Sequence, residues 1–198
     1  LGSGWWIQTG SEEIHAAVVV NAAGAWCDVV GGLAGARPLG IQPMRRTAFT
    51  FPCPEGIDCR TLPFVDDVGE QWYFKPEGAG LLGSLSEETP MEPHDVRHEE
   101  RDVALAIERI GRAVTFPIRH VGKAWAGLRS FVPDRRPVAG EDPDLPGFFW
   151  LAGQGGFGIM TSPALSRALA SLVVEGRLPT DLTAAGLRQE ELAPGRLR

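Results

Sequence analysis

The 198-residue chain is 43% hydrophobic and 22% charged with a net charge of −6, the mix of a folded domain and not of a disordered or nucleic-acid-binding chain. No run approaches the ~18 apolar residues of a membrane span, and no basic-then-apolar leader opens the chain, so neither an integral membrane protein nor a secretory precursor is expected. The length allows one good-sized domain or two small ones, with a core that does not depend on disulfide staples. Three cysteines, Cys27, Cys53 and Cys59, are an odd number without CxxC spacing. They read as small buried hydrophobes in a reducing, cytoplasmic setting, and Cys53 could reach Cys59 only if the loop between them bends back. His94 and His98 are at i,i+4, but Pro93 and acidic neighbours point to a loop running into a helix start, and no metal site is predicted.

In chain order, residues 5–9 predict a strand, Gly10-Ser11 a turn, and residues 16–20 a β-branched strand. That run opens through Asn21-Ala22-Ala23-Gly24-Ala25-Trp26 into a helix to about Leu33, closed by Gly35 and Pro38. Residues 41–51 predict a long strand that sends Arg45 and Arg46 to opposite faces. Residues 71–75 and 80–84 form a hairpin across Pro76-Glu77-Gly78-Ala79, followed by an acidic loop over 86–95. Val103, Ala106, Ile107, Ile110 and Val114 recur at helical spacing and predict an amphipathic helix over 99–115, its Glu and Arg residues facing water. Residues 118–128 predict a strand interrupted at Gly122, 133–140 a turn, 147–152 a short aromatic strand and 161–175 a helix. The tail from Arg177 is polar with a weak helical pattern.

Glycine, 25 residues, is in excess of the usual ~7%, and two segments spell G-x-G-x-x-G. A dinucleotide site needs that spacing between a strand and a helix N-terminus. The match starting at Gly78 sits in a hairpin with no helix behind it and reads as coincidence. The match starting at Gly153 follows the aromatic strand and enters a helix, so its local setting is right, but no second strand with a ribose-binding acid follows. Two readings stay open there: a glycine loop that packs a helix closely on a sheet, or a helix N-terminus aimed at an electron-rich ligand.

Four segments together carry a family resemblance: Val18-Val19-Val20-Asn21-Ala22-Ala23-Gly24-Ala25-Trp26, Trp125-Ala126-Gly127-Leu128-Arg129-Ser130-Phe131, Pro133-Asp134-Arg135-Arg136-Pro137-Val138-Ala139-Gly140, and Gly147-Phe148-Phe149-Trp150-Leu151-Ala152 with its glycine loop. The chain resembles the later part of FAD-dependent amine oxidoreductases of the D-amino-acid oxidase superfamily, which includes glycine oxidase, sarcosine oxidase and D-amino-acid dehydrogenases. Arg45-Arg46-Thr47-Ala48-Phe49, Tyr73-Phe74-Lys75-Pro76, Glu92-Pro93-His94-Asp95-Val96 and Pro194-Gly195-Arg196-Leu197-Arg198 are similar to the D-arginine dehydrogenase branch, whereas the 133–140 segment follows the general amine-oxidase pattern.

The resemblance implies an α+β fold: a mixed, largely antiparallel substrate-domain sheet with helices, plus the C-terminal pieces of an incomplete FAD-binding α/β domain. It divides the chain into a partial FAD-binding domain over 1–37, a substrate domain over 38–128, and a return to the FAD domain with the tail over 129–198. Gly155, Gly156, Phe157, Gly158, Ile159 and Met160 would line the flavin ring, and Ala22, Ala23, Gly24 and Trp26 would approach the ADP half. Arg129 matches the family's carboxylate anchor, where a planar fork makes two parallel hydrogen bonds. Tyr73 and Arg46 match further substrate-site positions; outside the resemblance they read as a half-buried strand aromatic and an exposed strand charge. Glycine at 127, where some sarcosine oxidases carry a flavin-linked cysteine, implies non-covalent FAD. The implied reaction is oxidation of the Cα–N bond of a D-amino acid or N-alkyl amino acid by hydride transfer to flavin. The implied partners are a small amino-acid substrate and a missing N-terminal half or second chain. The alternative is a flavin-free substrate-binding or interaction module, inactive without that half.

Overall fold

In the computed structural model, which describes residues 4–198, β1 (Trp5–Thr9) pairs antiparallel with β2 (Glu12–Ala16), Thr9 standing opposite Glu12. Gly10 makes the reversal at a φ of 55°, in the left-handed region that side chains resist. The strand expected over 16–20 is therefore two pieces, because Ala16 ends β2 and β3 (Val19–Asn21) begins a different sheet. Glu12 and Glu13 are weak strand formers, and pairing with β1 overrides that preference. As the small-residue turn predicts, a 3₁₀ turn over Gly24–Trp26 leads into α1 (Cys27–Leu33). The chain forms two compact units, one running up to Pro43 and resuming over Arg129–Arg198, the other spanning Met44–Leu128.

The second unit is built on β4 (Gln42–Pro52), β5 (Val65–Asp66), β6 (Tyr73–Glu77), β7 (Gly80–Ser84) and β8 (Thr89–Pro90), in the order β5-β6-β7-β4-β8. Helix α2 (Glu100–Ala113) follows, then β9 (Ala124–Phe131), which also pairs with β4. Alternation along β4 puts Arg45, Thr47, Phe49 and Phe51 on one face. Phe49 and Phe51 pack there with Phe74, Leu81, Val103, Ala106 and Ile110 into one core. The hairpin turn is tighter than the sequence suggests: Glu77 stands opposite Gly80, so Pro76 and Glu77 belong to β6 and only Gly78 and Ala79 turn. The strand expected from 118 starts late, at Ala124. Before it the chain leans on β4 through Gly122 N–H to Thr50 O at 2.7 Å, and a side chain at Gly122 would meet Thr50 Oγ1.

Cys53 and Cys59 are disulfide-bonded, with Cα atoms 5.8 Å apart. This corrects the expectation of three unbridged cysteines and removes the basis for inferring a reducing compartment. The loop bends back because Gly56 takes a φ of 77° and the Asp58 carboxylate accepts the Arg60 N–H, starting a 3₁₀ turn at Cys59. Cys27 is the free cysteine among the described residues; burial pushes its thiol up to about 11.

Back in the first unit, β10 (Val138–Glu141) occupies the end of the segment expected to turn, and β11 (Phe148–Ala152) is the expected aromatic strand. The order is β10-β11-β3, antiparallel then parallel. Trp150, Phe148, Val138 and Leu39 are buried beside Cys27 in one core. Helix α3 (Gly158–Glu175) begins three residues before the expected start and lays Leu165, Ala168, Leu169 and Leu172 on Ala139 and Phe149. Pro163 has no N–H for the Ile159 carbonyl, and the Ser162 hydroxyl donates to it instead at 3.0 Å. The polar tail resolves into α4 (Thr180–Ala184), α5 (Gln189–Leu192) and a final 3₁₀ turn, Pro194–Leu197. Arg196 binds Asp134 at 2.8 Å and Arg198 binds Asp142 at 2.6 Å.

Candidate functional site

The loop from Gly153 to Phe157 lies directly on the end of β9. Gly155 N–H donates to Ser130 O at 2.9 Å. Gly153 and Gly155 have left-handed φ values of 68° and 55°, and a Cβ on them would meet Val132 and Phe131 at 3.1 and 2.5 Å. The packing reading of the glycine loop accounts for these two. Gly156 differs, because its would-be Cβ lies 2.7 Å from Nη1 of Arg129. The structure therefore brings Arg129 against the glycine loop. Gly158, Ile159 and Met160 form the first turn of α3 and are not loop residues, as the earlier helix start requires. That turn carries no side-chain cap. Phe157, Ile159 and Met160 around it are 64%, 95% and 73% exposed. A guanidinium beside a helix N-terminus with uncapped N–H groups can hold an anion, and the apolar side chains around it can hold a flat ring.

The turn after β3 is held by Asn21, whose side-chain amide donates to Cys27 O at 2.8 Å and whose oxygen accepts from Ala23 N–H. Asp28 accepts from the N–H groups of Leu39 and Ile41, each at 2.8 Å, and fixes the chain that follows α1. Ala22 and Trp26 are exposed, and Ala23 is half-buried. Gly24, at a φ of 59°, has nothing within 4 Å of the Cβ it lacks.

In the second unit, Tyr73 stands opposite Ser84 and Ser84 opposite Ala48. Arg46, two residues before Ala48, therefore shares the sheet face of Tyr73. Phe64 stacks on the Tyr73 ring at 5.2 Å. Arg46 Nε donates to Glu87 O at 2.7 Å and Nη2 lies 3.5 Å from Glu88 Oε1, leaving its side chain only 12% exposed. That corrects its reading as an exposed strand charge. Arg45, on the opposite face as predicted, pairs with Asp102 at 2.8 Å and with Glu99. Burial works against its charge, but the two carboxylates outweigh that and raise its pKa. Sequence reasoning missed Asp102, Glu87 and Phe64, which belong to no motif; the one trace of them was the Arg45-Arg46 alternation.

Residues 2–172 match the family of FAD dependent oxidoreductases designated DAO. The chain belongs to that family. It is 30% identical over 187 residues to FAD-dependent oxidoreductase domain-containing protein 1 of Bos taurus, covering 85% of this chain and 38% of that protein. Mitochondrial sarcosine dehydrogenase of Homo sapiens is 26% identical, over 92% of this chain and 21% of that protein. The solved L-proline dehydrogenase from P. horikoshii superposes with a TM-score of 0.79 at 23% identity, covering 96% of this chain and 50% of that one, and shows the shared fold. The chain thus spans about half or less of the length of these relatives, and its mixed α+β architecture is that of a part of the DAO fold.

Proposed function

We propose that these residues form the C-terminal part of an FAD-dependent oxidoreductase that oxidises the Cα–N bond of a D-amino acid or N-alkyl amino acid. The observation that carries this reading is Arg129 lying against Gly156 of the loop that enters α3. Arg129 is assigned as the anchor of the substrate carboxylate, and Tyr73 and Arg46 as residues that orient it. Gly155, Gly156, Phe157, Gly158, Ile159 and Met160 are assigned to the flavin ring, with the uncapped N–H groups of α3 set to favour negative charge. Ala22, Ala23, Gly24 and Trp26 are assigned to the ADP half, where the open space at Gly24 lets a ligand approach the backbone. FAD, when bound, supplies the acceptor for a hydride from the substrate Cα. Water would hydrolyse the resulting imine to a 2-oxo acid and ammonia or the alkylamine. The similarity to a sarcosine dehydrogenase supports a substrate with an N-alkylated amine beside a carboxylate. The assigned partner is a polypeptide carrying the rest of the FAD domain. No described helix is long and apolar enough to cross a membrane.

The test is kinetic and uses the complete protein with glycine, sarcosine, D-alanine, D-arginine and L-proline. Arg129→Ala should raise KM for the turned-over amino acid about 10- to 100-fold, the worth of a charged hydrogen-bonded pair. Oxidation of the corresponding amine without its carboxylate should change little. Equal losses on both substrates would remove Arg129 from the carboxylate site. A protein without flavin absorbance that takes up no added FAD, yet binds amino acids through Arg129, would instead be the flavin-free binding module.

A further inference from the structure

A half-buried carboxyl group, that of Glu87, stands beside Arg46. Ser84 Oγ donates to Thr47 O at 2.7 Å and accepts from Ser86 N–H at 3.2 Å. Ser86 takes a φ of 61°, a left-handed value uncommon for a residue with a side chain, and the chain turns Glu87 inward. Glu87 then holds β4 twice. Its Oε1 accepts the Thr47 N–H, and its main-chain oxygen accepts Nε–H of Arg46 at 2.7 Å. The arrangement costs stability, because the Glu87 carboxylate is withdrawn from water with the Thr47 N–H and hydroxyl against it, and Arg45 Nε is buried without a hydrogen-bond partner. Burial also raises the pKa of Glu87. Groups facing Glu87 include Asp102 from α2 and Arg45 from β4, both buried. A strained residue and a half-buried acid at one place make a costly way to close a turn. Both bear on where the Glu87 main-chain oxygen sits, and that oxygen accepts the Arg46 Nε–H.

We propose that Glu87 is a positioning residue that fixes Arg46, and through Arg46 the orientation of the bound amino acid. The proposal rests on the assignment of Arg46 to the substrate site and adds a residue that no motif marks. The Glu87 main-chain oxygen holds the Nε–H while Glu88 Oε1 lies 3.5 Å from Nη2, so two contacts set the plane of the guanidinium. Rotation about the side chain's last bonds is what the contact removes, and that is worth affinity and not chemistry.

The experiment uses the complete protein with sarcosine, glycine and L-proline as substrates. Glu87→Ala should raise KM about tenfold with kcat within about twofold, whereas Glu87→Gln keeps an oxygen for the Thr47 N–H and should stay near the parent protein. Arg46→Lys keeps the charge but loses both the Nε donor and the planar fork, and should raise KM at least as much as Glu87→Ala. In an Arg46→Ala background, Glu87→Ala should add nothing, because a residue acting through Arg46 has nothing left to position. If Arg46→Ala leaves KM unchanged, the substrate-site assignment of Arg46 fails and the inference with it. If Arg46→Ala raises KM but Glu87→Ala does not, or if the two losses multiply, only the positioning role is overturned. A readout independent of turnover is the Arg46 Nε–H resonance of the ¹⁵N-labelled 198-residue chain. Slow solvent exchange should persist in Glu87→Gln and be lost in Glu87→Ala at equal thermal midpoints; unchanged exchange in Glu87→Ala sinks the proposal.

Discussion

Asp142 sets burial against pairing within a single side chain. Its carboxylate is fully buried, which disfavours charge, yet it accepts hydrogen bonds from Arg198, from the Trp150 indole N–H at 2.9 Å and from Asp144 N–H. These bonds outweigh desolvation and hold its pKa below the ordinary 3.8. A carboxyl group depressed on folding contributes stability above its unfolded value, and that contribution is lost as pH falls through the folded one. The first unit should therefore weaken below about pH 3.8. Arg198→Ala leaves a buried charge without its cation, and at neutral pH it should cost about 2–4 kcal/mol, somewhat under the full range for a buried pair since Arg198 keeps some contact with solvent. The penalty should shrink as Asp142 is protonated, so denaturant midpoints of the two proteins would converge in acid. A penalty that stays constant from pH 7 to 3 would show that Arg198 acts by packing alone. None of this was legible in the sequence, where Asp142 and Arg198 lie 56 residues apart and carry no pattern that pairs them.

At the scale of elements, neighbouring glycines in α1 have opposite roles. Gly31 lies against the edge of the Trp150 indole, and a Cβ there would come within 2.2 Å of Cη2. Gly32 faces open space, with nothing within 4 Å of its missing Cβ and no left-handed φ. Gly31→Ala should thus overpack the contact and destabilise by roughly 1–3 kcal/mol. Gly32→Ala should stabilise by about 0.4–1 kcal/mol, through helix propensity and a less disordered unfolded chain. Thermal or urea unfolding followed by tryptophan fluorescence reads both, and equal effects would refute the contact as the cause. The sequence shows such elements well where one period dominates: the alternation of β4, the 3–4 spacing of α2 and the aromatic run of β11 were all legible. It failed where pairing across the chain supplied the order. β2 is acidic and strand-like only opposite β1, and β10 emerges from a proline-rich stretch because β11 lies beside it. The start of α3 was hidden by Gly158, which reads as the end of the glycine-rich loop, whereas Gly158, Ile159 and Met160 form the helix's first turn. The Arg129–glycine-loop contact could not be read from spacing, since 27 residues separate Arg129 from Gly156 and only the fold closes that gap.

At the scale of the molecule, the first unit exposes apolar side chains that a sheet edge makes consequential. Among the described residues β3 is the outer strand of its sheet, paired on one side by β11. Val20 on that strand is 45% exposed, and Val29 and Leu33, one helical turn apart on α1, are 54% and 85% exposed. An outer strand with apolar neighbours is a template for further pairing. The relatives extend well beyond the part that this chain covers. On the proposal that a polypeptide carrying the rest of the FAD domain is the partner, this surface is where it would dock, by strand addition at β3 and by apolar burial on α1. The 198-residue chain alone should then self-associate and bind a hydrophobic dye. Val20→Lys and the pair Val29→Lys/Leu33→Lys should each reduce association without lowering the unfolding midpoint, because these side chains are not part of the core. Adding the partner polypeptide should suppress dye binding and, if the flavin assignments hold, give the mixture a bound-FAD absorbance that neither part shows alone. Lysine variants that self-associate less should lose that complementation to a similar degree, since the same surface is proposed for both. A chain that elutes as a monomer with no dye binding, or lysine variants that complement as well as the parent, would place the docking surface elsewhere.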